Sequence, residues 1–164
     1  MSVQHEPSVG LVAFSFGQRA DEPSPSNMAL ARAAKRGVDS VHGPVEVVAQ
    51  WEVAKGLERL GLTPDVIVGP LPDGQYLDSD EVWRVARSRF ERRGVESVIP
   101  VAQPFLHLWK VRRLARKDGL TVPKFAVGRI RFDDTRENTQ PWTRSRLALL
   151  KYTVGQIFVG RKGR

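Results

Sequence analysis

His107 and Lys110 carry the clearest chemical potential in this sequence, because their types and spacing suit one ligand. The two residues stand three apart near the start of a predicted helix, so their side chains share a helix face. An imidazole and an ammonium group together suit a phosphate or a carboxylate. His107 is therefore the candidate proton donor or phosphate contact, and Lys110 the candidate for neutralising the ligand's charge. The alternative is a helix surface with a partly packed histidine.

Four further candidates follow predicted strands. Gly17 and Arg19 come after the first strand, where a glycine lets a ligand approach the backbone and an arginine can pair with an anion. His42 and Gly43 come after the predicted second strand and lead into a helix N-terminus, which favours an anion. An ordinary turn glycine and a surface histidine are the alternative interpretations of Gly17 and His42.

The remaining candidates are carboxylates and a hydroxyl. Glu52 lies on a predicted helix between Trp51 and Val53, and it is a catalytic candidate if the fold turns it inward. If the fold does not, Glu52 is a solvated surface residue. Ser79 and Glu81 stand at the start of another predicted helix, where capping is the first interpretation and ligand binding the second.

Several motifs of known chemistry are absent from the sequence. Neither GxGxxG nor GxxxxGK[ST] occurs, so the standard dinucleotide and P-loop sites have no support. A GxSxG nucleophile elbow is also missing. The chain has no cysteine, and its histidines form no HxH, HxxxH or HExxH pair, so we expect no dedicated metal site. The residues indicate no particular cofactor.

Predicted strands and helices alternate along the chain, which is typical of βαβ units. Strands are predicted at Val9–Phe16, Val38–Gly43, Asp65–Gly69, Val95–Ala102 and, at the sheet edge, Leu120–Val127. Helices are predicted at Asn27–Arg36, Val45–Leu60, Asp80–Arg93, Pro104–Asp118 and Pro141–Phe158. With right-handed crossovers, this order predicts a three-layer, Rossmann-like α/β fold with a mostly parallel sheet and helices on both faces. Such sheets bind ligands at the carboxyl ends of their strands, where we expect the candidates above to lie.

Length and charge narrow the class of protein. A chain of 164 residues matches one domain, residues 1–164, with a basic tail at about 159–164. The formal net charge of +8 favours polyanionic partners, which include phosphate-bearing ligands, nucleic acid and an acidic membrane surface. The sequence contains no apolar run of transmembrane length and no recognisable secretory signal, so we expect a cytoplasmic protein. The oligomeric state is left open.

The candidate segments together resemble the YdcF/SanA/ElyC-like family of Rossmann-like α/β proteins. The resemblance covers roughly residues 9 to 161 and rests on Gly17, His42–Gly43, Gln50–Ala54, Ser79, Glu81, His107, Lys110 and Leu147–Arg161. A single glycine replaces the family's double glycine, Val82 its asparagine and Lys110 its arginine, so this chain resembles a divergent member. The resemblance implies a Rossmann-like fold, envelope-related roles for some members, and a nucleotide-type or S-adenosylmethionine-like ligand.

Three functional hypotheses follow. The first is a small-molecule-binding α/β protein for an anionic or nucleotide-like ligand of the S-adenosylmethionine-like or sugar-nucleotide class, with catalysis left open. The second is a basic binding module for nucleic acid or another acidic partner, without catalysis, whose aromatic residues Trp109, Trp142 and Tyr152 interleave with arginines. A scaffold without an active site is the third.

Overall fold

The computed structural model describes residues 8–72 and 77–161, with the side chains of the last four excepted. Its sheet has four strands, β1 (Val9–Ala13), β2 (Val45–Gln50), β3 (Val66–Val68) and β4 (Ser97–Val101). All pairs are parallel, and the strand order is β3-β2-β1-β4. The helices are α1 (Pro25–Asp39), α2 (Trp51–Arg59), α3 (Ser79–Arg92), α4 (His107–Lys117) and α5 (Arg146–Arg161), with a 3-10 turn at Pro141–Thr143.

Strand β1 lies in the middle of the molecule and is covered on both faces. Successive residues of a strand point to opposite faces. Gly10 faces α3, where a Cβ would lie 2.6 Å from the Phe90 ring, and the neighbouring Leu11 packs against Gly37 of α1 on the other face. A strand buried on both sides needs a continuous apolar run, which is the pattern that predicted it. The predicted three-layer α/β fold with a parallel sheet is therefore confirmed.

The prediction for residues 38–60 was wrong. Val38–Gly43 forms no strand, because α1 continues to Asp39, and the predicted helix Val45–Leu60 divides into strand β2 and the shorter helix α2. The spacing of apolar residues there fits a helix. However, Val45, Val47 and Val48 are β-branched, and pairing with β1 and β3 keeps them extended.

The C-terminal third also departs from prediction. Leu120–Val127 forms no strand, and it meets the sheet only at Thr121, which bridges to Ser97. Pro123 follows two residues later, and it has no N–H with which to continue a ladder. The predicted helix Pro141–Phe158 is divided into the 3-10 turn and α5. Within the described ranges, no helix is both long and apolar enough to span a bilayer.

Candidate functional site

The order of the strands defines where a ligand site is expected. The chain builds β1, β2 and β3 outwards in one direction and then returns to place β4 on the other side of β1. In open α/β sheets, ligands bind at this reversal, outside the carboxyl ends of the two central strands. Here the reversal lies between β1 and β4, so the segments that follow Ala13 and Val101 form the expected crevice.

A cavity of about 230 Å³ lies at this reversal, and we call it the switch-point cavity. Its polar wall comes from the β1 end, from the starts of α3 and α4 and from the C-terminal segment: Ser15, Ser79, His107, Lys110, Gln140, Thr143, Thr153 and Gln156. Its apolar wall is largely aromatic: Phe16, Trp109, Trp142, Tyr152, Leu106 and Leu149. Trp142 and Tyr152 stack on each other with ring centres 4.9 Å apart, so α5 and the 3-10 turn close one side of the cavity.

Three of the predicted site residues meet in this cavity. Ser79, His107 and Lys110 all line it. The ammonium group of Lys110 donates to Ser79 Oγ at 2.9 Å and forms an ion pair with Asp80 at 2.8 Å. The positive charge expected at Lys110 is therefore largely compensated by a neighbouring carboxylate.

His107 lies in an apolar environment that keeps it neutral. Its ring packs edge-on against Phe14, with ring centres 5.2 Å apart. Burial, together with the nearby charge of Lys110, lowers the pKa of His107 to about 4. Its Nε2 atom is buried, and no other described residue forms a hydrogen bond with it. At neutral pH, His107 thus offers hydrogen bonding or proton acceptance rather than a positive charge.

Glu52 is turned inward, at the second residue of α2, and only 2% of it is exposed. Burial raises the pKa of Glu52 to about 7, although hydrogen bonds from its own backbone and from the Ser15 side chain act in the opposite direction. Oε2 of Glu52 is buried and has no hydrogen-bond partner among the described residues. Glu52 lies outside the wall of the switch-point cavity, but Ser15 contacts it and lines that cavity. A carboxyl group with this pKa is suited to proton transfer near neutral pH.

Gly17 and Arg19 hold the C-terminal segment in place. Gly17 has a φ of +75°, and a Cβ there would lie 3.3 Å from Thr143 Oγ1, so the glycine permits close packing. The Arg19 guanidinium pairs with Asp133 at 2.6 Å and with Glu137 at 2.7 Å. The hydrogen bonds from Arg19 lower the pKa of Asp133 to about 2. Both predicted ligand contacts are therefore engaged in packing within the protein.

His42 and Gly43 lie at the opposite edge of the sheet. They precede β2 instead of following a strand, and both are exposed. The six residues of β2 separate them from the carboxyl edge by roughly 20 Å at the usual rise of a strand. Their prediction as ligand contacts depended on the wrong strand assignment, and the structure does not bring them to the other candidates.

Glu81 belongs to the N-terminal cap of α3. Its carboxylate accepts a hydrogen bond from the Asp78 backbone at 3.0 Å, and its own N–H donates to Asp78 Oδ1 at 2.8 Å. This reciprocal pair is a capping box. The capping interpretation is therefore the one that the geometry of Glu81 supports.

Two buried amides that were not among the predicted site residues shape the loop after β1. Asn27 Oδ1 accepts from the Phe16 N–H at 2.8 Å, and the Asn27 amide donates to the Gly17 carbonyl at 3.1 Å. Gln50 Oε1 accepts from the Ser15 N–H at 3.1 Å. A polar residue inside an otherwise apolar helix face or at the end of an apolar strand was the available signal for both.

Several basic and aromatic residues of the alternative hypothesis contact other parts of the protein. Arg112 donates to the Phe125 carbonyl at 2.9 Å, and Arg144 donates to the Asn138 carbonyl at 2.7 Å. Trp109 is 62% exposed, but the Arg113 guanidinium lies 5.5 Å from its ring centre. The rest of the basic tail, residues 162–164, lies outside the described part of the chain.

No set of three or more His, Asp or Glu side chains within the described ranges is arranged to hold a metal ion.

Comparison with known proteins gives little further guidance. No family model matches this chain, and no curated protein matches it. One solved structure, the biotin carboxylase domain of a thermophilic 2-oxoglutarate carboxylase bound to ADP, is similar to part of it, with 20% sequence identity and a TM-score of 0.36. The similarity covers 70% of this chain and 22% of that one. A likeness at this TM-score carries no conclusion about the ligand, so the functional argument depends on the cavity itself.

Proposed function

We propose that this protein binds a small nucleotide-like ligand in the switch-point cavity and acts on it as an enzyme. The observation that supports the proposal is the convergence of Ser15, Ser79, His107 and Lys110 on one cavity at the reversal of strand order. These residues come from three separate parts of the chain and supply hydroxyl, imidazole and ammonium groups. Concave sites with an apolar lining and a few convergent polar groups are the usual form of a ligand site.

The cavity suits a planar, polar ring. Its volume of about 230 Å³ is below the roughly 300–1,000 Å³ of sites that enclose a whole drug-sized ligand. Trp109, Trp142 and Tyr152 offer aromatic surface, while His107 is neutral and Lys110 is paired with Asp80. A nucleobase or a similar ring therefore fits better here than a multiply charged group.

Proton transfer in this site would involve Glu52 and Ser15. When Glu52 is ionised, the Ser15 hydroxyl donates to the carboxylate, and its oxygen can accept a hydrogen bond from the ligand. When Glu52 is protonated, it can donate to Ser15, whose hydroxyl hydrogen is then free for the ligand. Because burial places the pKa of Glu52 near 7, both states are populated at neutral pH. Glu52 is thus a positioning residue that acts through Ser15.

The proposal is tested by thermal shift with adenosine, nucleotides, sugar nucleotides and S-adenosylmethionine, at low and at high salt. We expect one of these compounds to raise the melting temperature at both salt concentrations, since a ligand that binds the native state stabilises it by mass action. The variants His107→Ala and Lys110→Ala should lose most of this rise.

The matched control carries His42→Ala and Lys117→Ala. These residues have the same side-chain types as the tested pair, but one lies at the opposite edge of the sheet and the other at the far end of α4. The control should retain the full shift in melting temperature. A shift that is unchanged in His107→Ala and Lys110→Ala, or lost equally in the control, contradicts the proposed site.

A further inference from the structure

A second, larger cavity adjoins the switch-point cavity. It has a volume of about 710 Å³, and we call it the arginine groove, because Arg129, Arg131 and Arg146 line it together with Phe105 and Phe132. Its remaining wall residues are uncharged, so no acidic side chain of the described chain lines this groove. This volume lies within the range of ordinary ligand sites.

The charges of the groove are not compensated. The exposed guanidinium groups of Arg129 and Arg131 form neither an ion pair nor a side-chain hydrogen bond with any described residue. Arg146 lies over the Phe105 ring, 5.5 Å from its centre, and it forms no ion pair with a described residue. The nearby Asp133 carboxylate is already engaged by Arg19. Three positive charges thus face one open groove.

Two of these arginines flank a buried residue. Arg129 and Arg131 are exposed, whereas Ile130 between them is buried with 5% exposure. All three residues line the groove, so both arginines border the same open space. Guanidinium groups suit phosphate oxygens, which they can bind in a bidentate manner.

The groove and the switch-point cavity share a boundary. Phe105 lines the groove, and the next residue, Leu106, lines the cavity. Phe16 of the cavity and Phe132 of the groove are in edge-to-face contact, with ring centres 5.3 Å apart. The two cavities are therefore neighbours, on either side of this pair of aromatic rings.

We propose that the arginine groove binds the phosphate chain of a nucleoside di- or triphosphate whose ring occupies the switch-point cavity. This inference rests on the proposed function for the position of the ring. The evidence for the phosphate site is independent of that function, because it consists of three arginines that form no ion pair with a described residue. The same phosphate chemistry occurs in a single strand of nucleic acid, and the experiment distinguishes the two sources.

The test uses four probes in isothermal titration calorimetry: inorganic tripolyphosphate, adenosine, ATP and a short single-stranded oligonucleotide. The groove variant is Arg129→Ala/Arg131→Ala, both of whose side chains are exposed. We expect it to weaken the binding of tripolyphosphate and of ATP by about tenfold or more, since it removes charge-assisted hydrogen bonds to the phosphate oxygens. Adenosine, which has no phosphate, should bind the groove variant as it binds the unmodified protein.

The matched control is Arg116→Ala/Lys124→Ala. It removes the same amount of charge from another basic cleft, lined by Arg112, Arg116 and Lys124. If the control weakens tripolyphosphate binding as much as the groove variant does, the binding reflects net charge and the proposal is overturned. Absence of tripolyphosphate binding to the unmodified protein overturns it as well.

The two proposals fail in different ways. Tripolyphosphate binding that depends on Arg129 and Arg131, without any binding of adenosine, supports the groove and contradicts the cavity. Adenosine binding that depends on His107, without tripolyphosphate binding, does the reverse. An oligonucleotide that binds more tightly than ATP, and loses its affinity steeply with added salt, overturns the assignment to a free nucleotide.

Discussion

The switch-point cavity and the arginine groove lie side by side at the carboxyl edge of the sheet, and they hold their charges in opposite ways. In the cavity, Lys110 is paired with Asp80, and burial keeps His107 neutral. In the groove, Arg129 and Arg131 face solvent, and neither has a carboxylate partner among the described residues. Counting basic residues does not distinguish these two regions, because the charge available to a ligand depends on what each side chain already contacts.

The cavity and the groove also differ in whether their polar groups change protonation near neutral pH. The cavity region contains an imidazole and a carboxyl group whose pKa values are shifted, His107 to about 4 and Glu52 to about 7. The groove contains guanidinium groups, which keep their charge at every physiological pH. Binding in the cavity should therefore depend on pH, whereas binding in the groove should depend mainly on salt.

The largest expected effect comes from Arg19→Ala. This variant would free the Asp133 carboxylate next to the arginines of the groove, so that the groove, like the cavity, would hold a compensating negative charge. The variant leaves the Asp133 carboxylate, only 8% exposed, without its main partner, and the loss of one partner of a buried pair costs about 3 kcal/mol of unfolding free energy. Asp133 lines a cavity of about 320 Å³ together with Arg129 and Arg131, so the released carboxylate should compete with phosphate there. Urea denaturation and tripolyphosphate titration measure the two effects.

Glu137→Gln is the control for Arg19→Ala. It removes the outer, exposed partner of Arg19 and should change the unfolding free energy by less than about 1 kcal/mol. If Arg19→Ala binds tripolyphosphate with unchanged affinity, Asp133 does not compete for the groove.

The next effect concerns the stability of the cavity region against pH. Because the pKa of Glu52 is raised from 4.5 to about 7, the folded state retains a proton that the unfolded state releases between these values. The unfolding free energy should therefore fall by roughly 3 kcal/mol as pH rises through this window. Because the pKa of His107 is lowered from 6.5 to about 4, the unfolding free energy gains a similar amount as pH rises from about 4 to 6.5.

In the unmodified protein these two contributions oppose each other over most of their range, and single variants separate them. Glu52→Gln should become more stable as pH rises from about 4 to 6.5, and His107→Gln should become less stable as pH rises from about 4.5 to 7. Urea denaturation at several pH values gives both profiles. If the two variants show the same dependence of unfolding free energy on pH, the pKa shifts assigned to Glu52 and His107 are wrong.

The smallest effect comes from Asp80→Asn, which should make the cavity resemble the groove. The variant removes the carboxylate that compensates Lys110 and leaves the ammonium charge free. Because both side chains of the pair are about half exposed, we expect the affinity of the cavity for inorganic phosphate to rise only about fivefold. Asp39→Asn, which opens the exposed Lys35–Asp39 pair at the opposite edge, is the control and should leave phosphate binding unchanged. Equal affinities for Asp80→Asn and the unmodified protein would contradict the compensation of Lys110.

Strands β1 and β4 and helices α3 and α4 were predictable, because their signals are local. β1 is a continuous apolar run, and α3 begins at the capping box of Asp78 and Glu81. Ser79, His107 and Lys110 consequently lie at the predicted edge of the sheet. The strand β2 was not predictable in this way, since the same valines fit a helix until β1 and β3 pair with them, and the misplacement of His42 and Gly43 followed from it.

The availability of each charged group at the site depends on contacts between distant parts of the chain. Arg19 and Asp133 are 114 residues apart in sequence, and their ion pair removes one predicted anion contact. The burial of Glu52 depends on β2 and α2 being placed against the loop after β1, and the closure of the cavity depends on Trp142 stacking on Tyr152. The sequence lists the basic, acidic and apolar residues, and local patterns within it indicate which segments are helices. A pKa or a free charge arises from neighbours in space, because burial and ion pairing act over a few ångströms regardless of sequence separation.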